Sequence, residues 1–357
     1  MTKVTKQVDF SGEKIFIGID VHLKSWQVSI YTQERLLKNF TQPGNVEVLD
    51  AYMRSNYPNA QYICAYESGF SGFWIQRALT KLGYECIVVN AADVPQTDKG
   101  EKNKTDKFDA KRIGKSLQVG FLDGIYIPSE QLEADRKLVR TYNQYTRDLT
   151  RAKNRIKGLL YYLGIPIPTE LQNHSWGAPF IEWLKKVPIV HDSLQQTITY
   201  QLSNLEYLKL QKKNLLKEIK SLLLHERYTE MSILLQTIPG IGILTAATFL
   251  TEIGDMNRFS NDKQLNAFIG LCPTSHSSGD RDRRGSMTGR HNRYLRTLLI
   301  EAAWRAIAVD PAMTKSYGIL KARVGPKRAI VKIAYKLLSR IRYVWLNKTE
   351  YVTGIVE

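Results

Sequence analysis

In KIFIGID, residues 14–20, isoleucines recur with a period of two: Ile15, Ile17 and Ile19 share one face of an extended chain, and the run ends on Asp20. SWQVSIYT and RLLKNF continue as strands, with tight connections at Leu23–Lys24 and Gln33–Glu34. Helical spacing follows over residues 46–54, then the strand YICAYE ending on Glu67, a helix over 73–82, the strand YECIVV, and a helix through NKTDKFDAKRI. A three-strand meander followed by alternating helices and strands is the element order of an RNase H-like α/β domain, expected here over residues 1–125.

The period changes after Leu132. Leu138, Tyr142, Tyr145, Leu149, Ala152, Ile156, Leu159 and Leu163 step by four and three, which is a heptad seam. Ile198, Leu202, Leu205, Leu215, Ile219 and Leu222 trace a second seam, weakened in its middle by Lys212, and GIPIPTELQNHSWGAP separates the two. A helical hairpin within the chain and a coiled coil between chains both satisfy this pattern, expected over residues 126–228. Residues 229–357 form the third, mainly α, region. In it LQTIPGIGILTAATFLTEIG reads as a helix, a Pro-Gly-x-Gly turn and a second helix, similar to a helix-hairpin-helix, whose turn amides can approach a phosphate; a plain glycine turn is the alternative. A Ser/Gly/Arg loop then leads into an amphipathic helix.

Composition adds a polyanionic partner. Hydrophobic residues at 43% and charged residues at 24% are ordinary for a globular protein, but the net charge is +17. Between Arg281 and Lys348, seventeen Lys or Arg stand against Asp282, Glu301 and Asp310 alone, so this segment holds +14 of the total. That is the footprint of a phosphate-backbone binder. No apolar run reaches the roughly 18 residues of a membrane span, and the polar start is not a signal peptide, so a cytoplasmic protein is expected. Cys64, Cys86 and Cys272 are scattered and read as buried thiols.

Candidate chemistry rests on four acids and a serine. Asp20 and Glu67 close neighbouring strands, while Asp106 and Asp109, three apart on a helix, have Cβ atoms roughly 5–6 Å apart. Four converging carboxylates repel one another unless a hard cation lies between them, and oxygen-only ligation suits Mg²⁺ or Mn²⁺, which can clamp a phosphodiester. Lys104, Lys107, Lys111 and Arg112 flank the helical pair and suit substrate phosphates. In PTSHSSG, Ser275, Ser277 and Ser278 lie in a flexible loop followed by Arg281, Arg283 and Arg284, cations that would neutralise a phosphate under serine attack. A dyad with His276 is disfavoured, because neighbouring loop side chains rarely face each other. Arg290, Arg293 and Arg296 extend the basic surface.

GIDVHLKSWQVSIY, YESG, NKTDKFDA, LQTIPGIGILTAATFLTEIGD, FIGLCPTSHSSG and RYLRTLLI, in this order, resemble the DEDD transposases of the IS one-ten family, relatives of the Piv DNA invertase. The resemblance runs from about residue 14 to 345. It implies a RuvC-like catalytic domain, a coiled-coil middle, and a C-terminal transposase domain with a nucleophilic serine. Carried over, the metal-binding tetrad is Asp20, Glu67, Asp106 and Asp109, and the serine is Ser278, with Ser277 as competitor. It further implies DNA as substrate, a structured bridge RNA as guide, and a homo-oligomer, dimer or tetramer, in which carboxylates of one protomer meet the serine of another. A RuvC-type nuclease that activates water is the rival reading, and a non-catalytic nucleic-acid-binding protein the third.

Overall fold

The computed structural model describes residues 8–95, 106–172, 176–278 and 281–354, and only the backbone of residues 106, 107, 273–278 and 281–286 within these. The chain forms two compact units, one up to Ile127 and one from Pro128.

The first unit is built on a five-stranded sheet of β1 (Lys14–Val21), β2 (Ser25–Tyr31), β3 (Leu36–Pro43), β4 (Gln61–Glu67) and β5 (Glu85–Val89), in the order β3-β2-β1-β4-β5. The meander β1–β3 is antiparallel, whereas β4 and β5 join β1 in parallel through the crossover helices α1 (Val46–Asn56) and α2 (Trp74–Lys81). Ile15, Ile17 and Ile19 are fully buried on one face with Leu49 and Met53 of α1 and Ile75 and Leu79 of α2. The opposite face, with Phe16, Ala65 and Val89, packs on Ile113 and Leu117 of α3 (Asp106–Gln118).

Two glycines bring α3 onto the sheet. A Cβ on Gly18 would lie 2.2 Å from the Gly114 amide nitrogen and 2.4 Å from the Ala110 carbonyl, and one on Gly114 would lie 2.5 Å from Ser29 Oγ. The helix backbone therefore rests directly on β1 and β2, as glycine inside a strand allows. Ser29 Oγ donates to the Ala110 carbonyl at 2.6 Å and the Tyr31 hydroxyl to that of Lys111 at 3.2 Å, which fixes the helix in rotation and height.

The second unit starts with α4 (Glu130–Tyr162), capped by Ser129, whose side chain accepts from the Leu132 amide. The short α5 (Thr169–Gln172) and α6 (Ala178–Lys186) precede α7 (Asp192–Leu223), which packs back along α4 within the same chain. The two long helices serve two cores. Ala152, Ile156 and Leu160 of α4 meet Ile198, Leu202 and Leu205 of α7 around Phe180 and Leu184. At the other end, Val139, Ile219, Leu222 and Leu223 enter a larger core with the remaining helices. The buried apolar positions of α4 are Val139, Ala152, Ile156 and Leu160: Ala152 and Ile156 keep the expected seam, while Val139 and Leu160 take the places of Leu138 and Leu159 towards its two ends, where the helix enters different cores. Lys212, the weak point of the second seam, places its Nζ 5.0 Å from the centre of the Tyr142 ring.

That larger core collects α8 (Glu226–Gln236), α9 (Ile243–Ile253), α10 (Asp262–Ile269), α11 (Arg293–Val309), α12 (Pro311–Val324) and α13 (Pro326–Asn347). Residues on both sides of the boundary expected at 228–229 share it. In the Pro-Gly-x-Gly turn between α8 and α9, Gly240 has φ +88° and its missing Cβ leaves room for the backbone of Ala302 in α11. Its glycine requirement comes from helix packing. The Ser/Gly/Arg segment, expected as a flexible loop, is instead a two-stranded antiparallel ribbon of β6 (Pro273–Ser278) and β7 (Arg281–Met287). Cys64 and Cys86 are buried as expected, but Cys272 is only half-buried. Among the described residues no helix is long and apolar enough to cross a membrane.

Candidate active site

The pairing of β1 with β4 runs to Ile19 and Tyr66, so Asp20 and Glu67 follow at the next position of two adjacent parallel strands, at their carboxyl ends. Because strand side chains alternate, both lie on the face opposite the buried Ile19 and Tyr66, which is the face α3 covers. Asp109 sits in the first turn of α3, and Arg112 comes one turn later. Arg112 Nη2 is 3.2 Å from Asp109 Oδ1 and 3.2 Å from Glu67 Oε1, so one guanidinium bridges a strand-end acid and a helix acid. Beside them His22 Nε2 lies 3.2 Å from Asp20 Oδ2. All three carboxylates are partly shielded from water, with side-chain exposures of 21% for Asp20, 29% for Glu67 and 15% for Asp109, which strengthens every charge interaction among them.

Asp106 opens α3 three residues before Asp109; its side chain lies outside the described residues. Among the described residues no three acidic, His or Cys side chains group closely enough to hold a metal ion. The chemistry of the donors nevertheless fits a hard cation: Asp20, Glu67 and Asp109 offer oxygens only, and a positive group already stands between two of them. Arg112 fills that place imperfectly, since its Nε is buried with no hydrogen-bond partner among the described residues.

The remaining expected residues belong to other surroundings. Ser278 pairs across the ribbon with Arg281, Ser277 with Asp282, His276 with Arg283 and Ser275 with Arg284; the side chains of these residues, and of Lys107, lie outside those described, as does Lys104 altogether. Arg290 is exposed just before α11. Arg296 donates to the Gly270 and Thr288 carbonyls, tying the first turns of α11 to the preceding loop. Arg293 is exposed on the first turn of α11, and its Nη2 donates to the Tyr294 hydroxyl at 3.2 Å. Sequence reasoning placed Arg112 among phosphate-facing cations, whereas its nearest partners are carboxylates. It passed over Gly18 and Gly114 entirely, although a glycine in mid-strand and another in mid-helix are sequence cues for close backbone approach.

Sheet order, strand-end acids and the acid-bearing helix define the first unit as a DEDD-type, RNase H-like nucleic-acid enzyme domain, followed by a mostly helical remainder. Comparison with known families agrees. A DEDD-type model described as a transposase matches residues 17–163, and a model of the transposase IS116/IS110/IS902 family matches residues 232–318. The transposase for insertion sequence element IS1533 of Leptospira borgpetersenii is 26% identical over 94% of this chain and 96% of its own length. A putative transposase of Sinorhizobium fredii is 28% identical over 81% of this chain and 71% of its own. The transposase for insertion sequence element IS1111A of Coxiella burnetii is 30% identical over 66% and 65% respectively. The chain belongs to the IS110 family of insertion-sequence transposases, DNA-transposing enzymes whose DEDD domain typically uses a divalent metal.

Proposed function

We propose that the chain cuts and rejoins DNA through a covalent phosphoserine, with Asp20, Glu67, Asp106 and Asp109 as the acidic site and Ser278, or its neighbour Ser277, as the nucleophile. The observation that supports this most is the meeting of Glu67 and Asp109 on one guanidinium beside Asp20, because such an acid group has no structural purpose that an apolar set would not serve better. The four acids would hold Mg²⁺ or Mn²⁺, which, when bound, would supply charge stabilisation to the scissile phosphate. The serine Oγ forms a bond to phosphorus as the bond from phosphorus to the leaving strand oxygen breaks. The serine proton passes to solvent or a base, and the leaving oxygen takes one up. A hydroxyl of the partner strand then reverses the step. One phosphoester replaces another each time, so rejoining needs no ATP.

The +17 charge and the resemblance support DNA and a structured bridge RNA as partners, and a homo-oligomer, dimer or tetramer, working in the cytoplasm at the nucleoid. In this reading residues 1–125 are the catalytic domain, 126–228 the coiled-coil middle, and 229–357 the serine-bearing transposase domain with its helix-hairpin-helix-like element.

A suicide DNA substrate that loses its leaving strand tests the mechanism. The expected result is a protein–DNA adduct that survives denaturation and disappears in Ser278→Ala together with recombination. Absence of any adduct, with Ser278→Ala and Ser277→Ala both cutting normally, would establish water-activating nuclease chemistry instead.

A further inference from the structure

The second unit contains a cluster of like charges that the serine chemistry does not use. At its centre is Tyr294, the second residue of α11. Arg140 of α4 lies with its guanidinium carbon 5.0 Å from the centre of the Tyr294 ring, Arg293 at 5.1 Å, and Arg147, two turns along α4 from Arg140, at 5.9 Å. Three guanidiniums thus surround one aromatic ring.

The cluster is held from behind. Glu252, on the buried helix α9 and only 2% exposed, accepts from Arg140 Nε at 2.6 Å and Nη2 at 2.7 Å. The same carboxylate accepts from Asn292 Nδ2 at 2.8 Å, and Asn292 in turn caps α11 by accepting from the Tyr294 and Leu295 amides. One buried acid therefore sets both the orientation of Arg140 and the start of the helix that carries Tyr294. Such a bidentate pair neutralises Arg140. Glu301 and Asp148 also line the cavities on the cluster, Asp148 paired with Arg151, and Arg147, Arg293, Lys212 and Lys137 outnumber them.

Two adjoining cavities open on the cluster, of about 520 and 330 Å³, and both are lined by Arg147, Arg293 and Tyr294. Lys212 contributes to the first and Lys137 to the second. Burial pushes the Tyr294 phenol up, but hydrogen bonds from Arg293 and Arg147 and the nearby positive charge outweigh this and leave it below its ordinary range.

We propose that this cleft is a phosphate clamp for a nucleic-acid backbone, in which Arg147 and Arg293 hold a phosphodiester against the Tyr294 hydroxyl while Arg140 and Glu252 keep the frame rigid. Guanidinium forks match phosphate oxygens in geometry, which makes arginine rather than lysine the fitting residue at the centre. Because arginines crowd the Tyr294 ring, the clamp reads backbone and not base. The proposal rests on the reading that the chain handles nucleic acid, and it adds to the scissile phosphate at the serine ribbon a second phosphate contact in the cleft on the α4, α9 and α11 side. Residues 288–292 join that ribbon to α11, so a strand engaged at Tyr294 is held by the same unit that carries Ser277 and Ser278.

The test measures binding of a fluorescein-labelled oligonucleotide of mixed sequence, as single-stranded DNA, duplex DNA and RNA, across a salt series. For the full-length Arg147→Gln, Arg293→Gln double variant, affinity should fall roughly tenfold for at least one of the three, with the salt slope reduced by about 0.7 to 0.9 for the one phosphate released. The loss should be the same for an oligonucleotide of scrambled sequence. The form that loses affinity identifies the strand. Arg293→Gln alone, an exposed first-turn substitution that breaks no buried ion pair, should show about half of the slope change, which guards against misfolding of the double variant. Unchanged affinity and slope in both variants, with the wild type binding normally, would overturn the clamp and leave the nucleic-acid reading intact. A wild type that binds none of the three forms would overturn both.

Discussion

The two charged clusters are near mirror images. In the first unit three acids, Asp20, Glu67 and Asp109, gather where a single guanidinium, that of Arg112, answers two of them. In the second, three guanidiniums gather around Tyr294 and a single carboxylate, that of Glu252, answers one of them. The difference is in where the lone opposite charge sits. Glu252 is buried to 2% exposure behind its cluster and fastened on two sides, so it belongs to the frame. Arg112 is half-buried among its carboxylates with its Nε unsatisfied, so it occupies a place within the cluster. A charge in the frame stabilises the fold, whereas a charge inside a cluster can be exchanged for a ligand of the same sign.

The largest effect that follows is on activity. On the proposed mechanism, replacing Asp20, Glu67 or Asp109 by Ala should lower strand cleavage by at least about a hundredfold, since loss of a metal ligand costs more than loss of a residue that merely orients one. Melting temperature should stay nearly level for Asp20→Ala, whereas Glu67→Ala and Asp109→Ala each remove one side of the Arg112 bridge and should lower it slightly. An Asp20→Ala variant that recombines DNA at the wild-type rate would remove the acid cluster from the mechanism.

Glu252→Gln should behave in the opposite way. It keeps the side-chain shape but leaves the Arg140 guanidinium without its charged partner, a loss of about 2 kcal/mol once the partial exposure of Arg140 is allowed for. In a unit of this size that corresponds to a fall of roughly 4–8 °C in melting temperature, readable by calorimetry. A variant as stable as the wild type would place Glu252 outside the frame and undo the contrast between the two clusters.

Much of the first unit was legible in the chain because its signals are local. Period-two runs such as Ile15-Ile17-Ile19 define strands, and acids at the ends of two such runs arrive side by side once β1 and β4 pair in parallel. What stayed hidden depends on pairings between distant residues. Gly18 and Gly114 meet across nearly a hundred residues, and nothing near either one reveals the other. The same holds for Arg140 and Glu252, which lie on helices far apart in the chain. The heptad seam of α4 was visible as a pattern, but the pattern does not say that its two halves serve different cores. The Ser, Gly and Arg content of the serine segment suggests a loop. Its one strand cue is the Gly279-Asp280 dipeptide between two short runs, a hairpin signal that composition alone conceals.

The smallest effect is the most discriminating, and it concerns Arg112. If its guanidinium is an exchangeable occupant, Arg112→Gln should destabilise the protein in EDTA by about 1 kcal/mol, because Glu67 and Asp109 then face each other with no cation between them. Adding Mg²⁺ or Mn²⁺ should raise the melting temperature of the variant by more than that of the wild type. A ligand that binds the folded state stabilises it according to its affinity, and in the variant the cation no longer competes with a resident positive charge. The two proteins should therefore differ in EDTA and converge as metal is added. If Arg112 belongs to the frame, as Glu252 does, the variant stays below the wild type at every metal concentration and the gap does not close. Equal melting temperatures in EDTA would show that the bridge between Glu67 and Asp109 contributes nothing to the folded state, and the mirror relation between the two clusters would then reduce to a likeness of geometry.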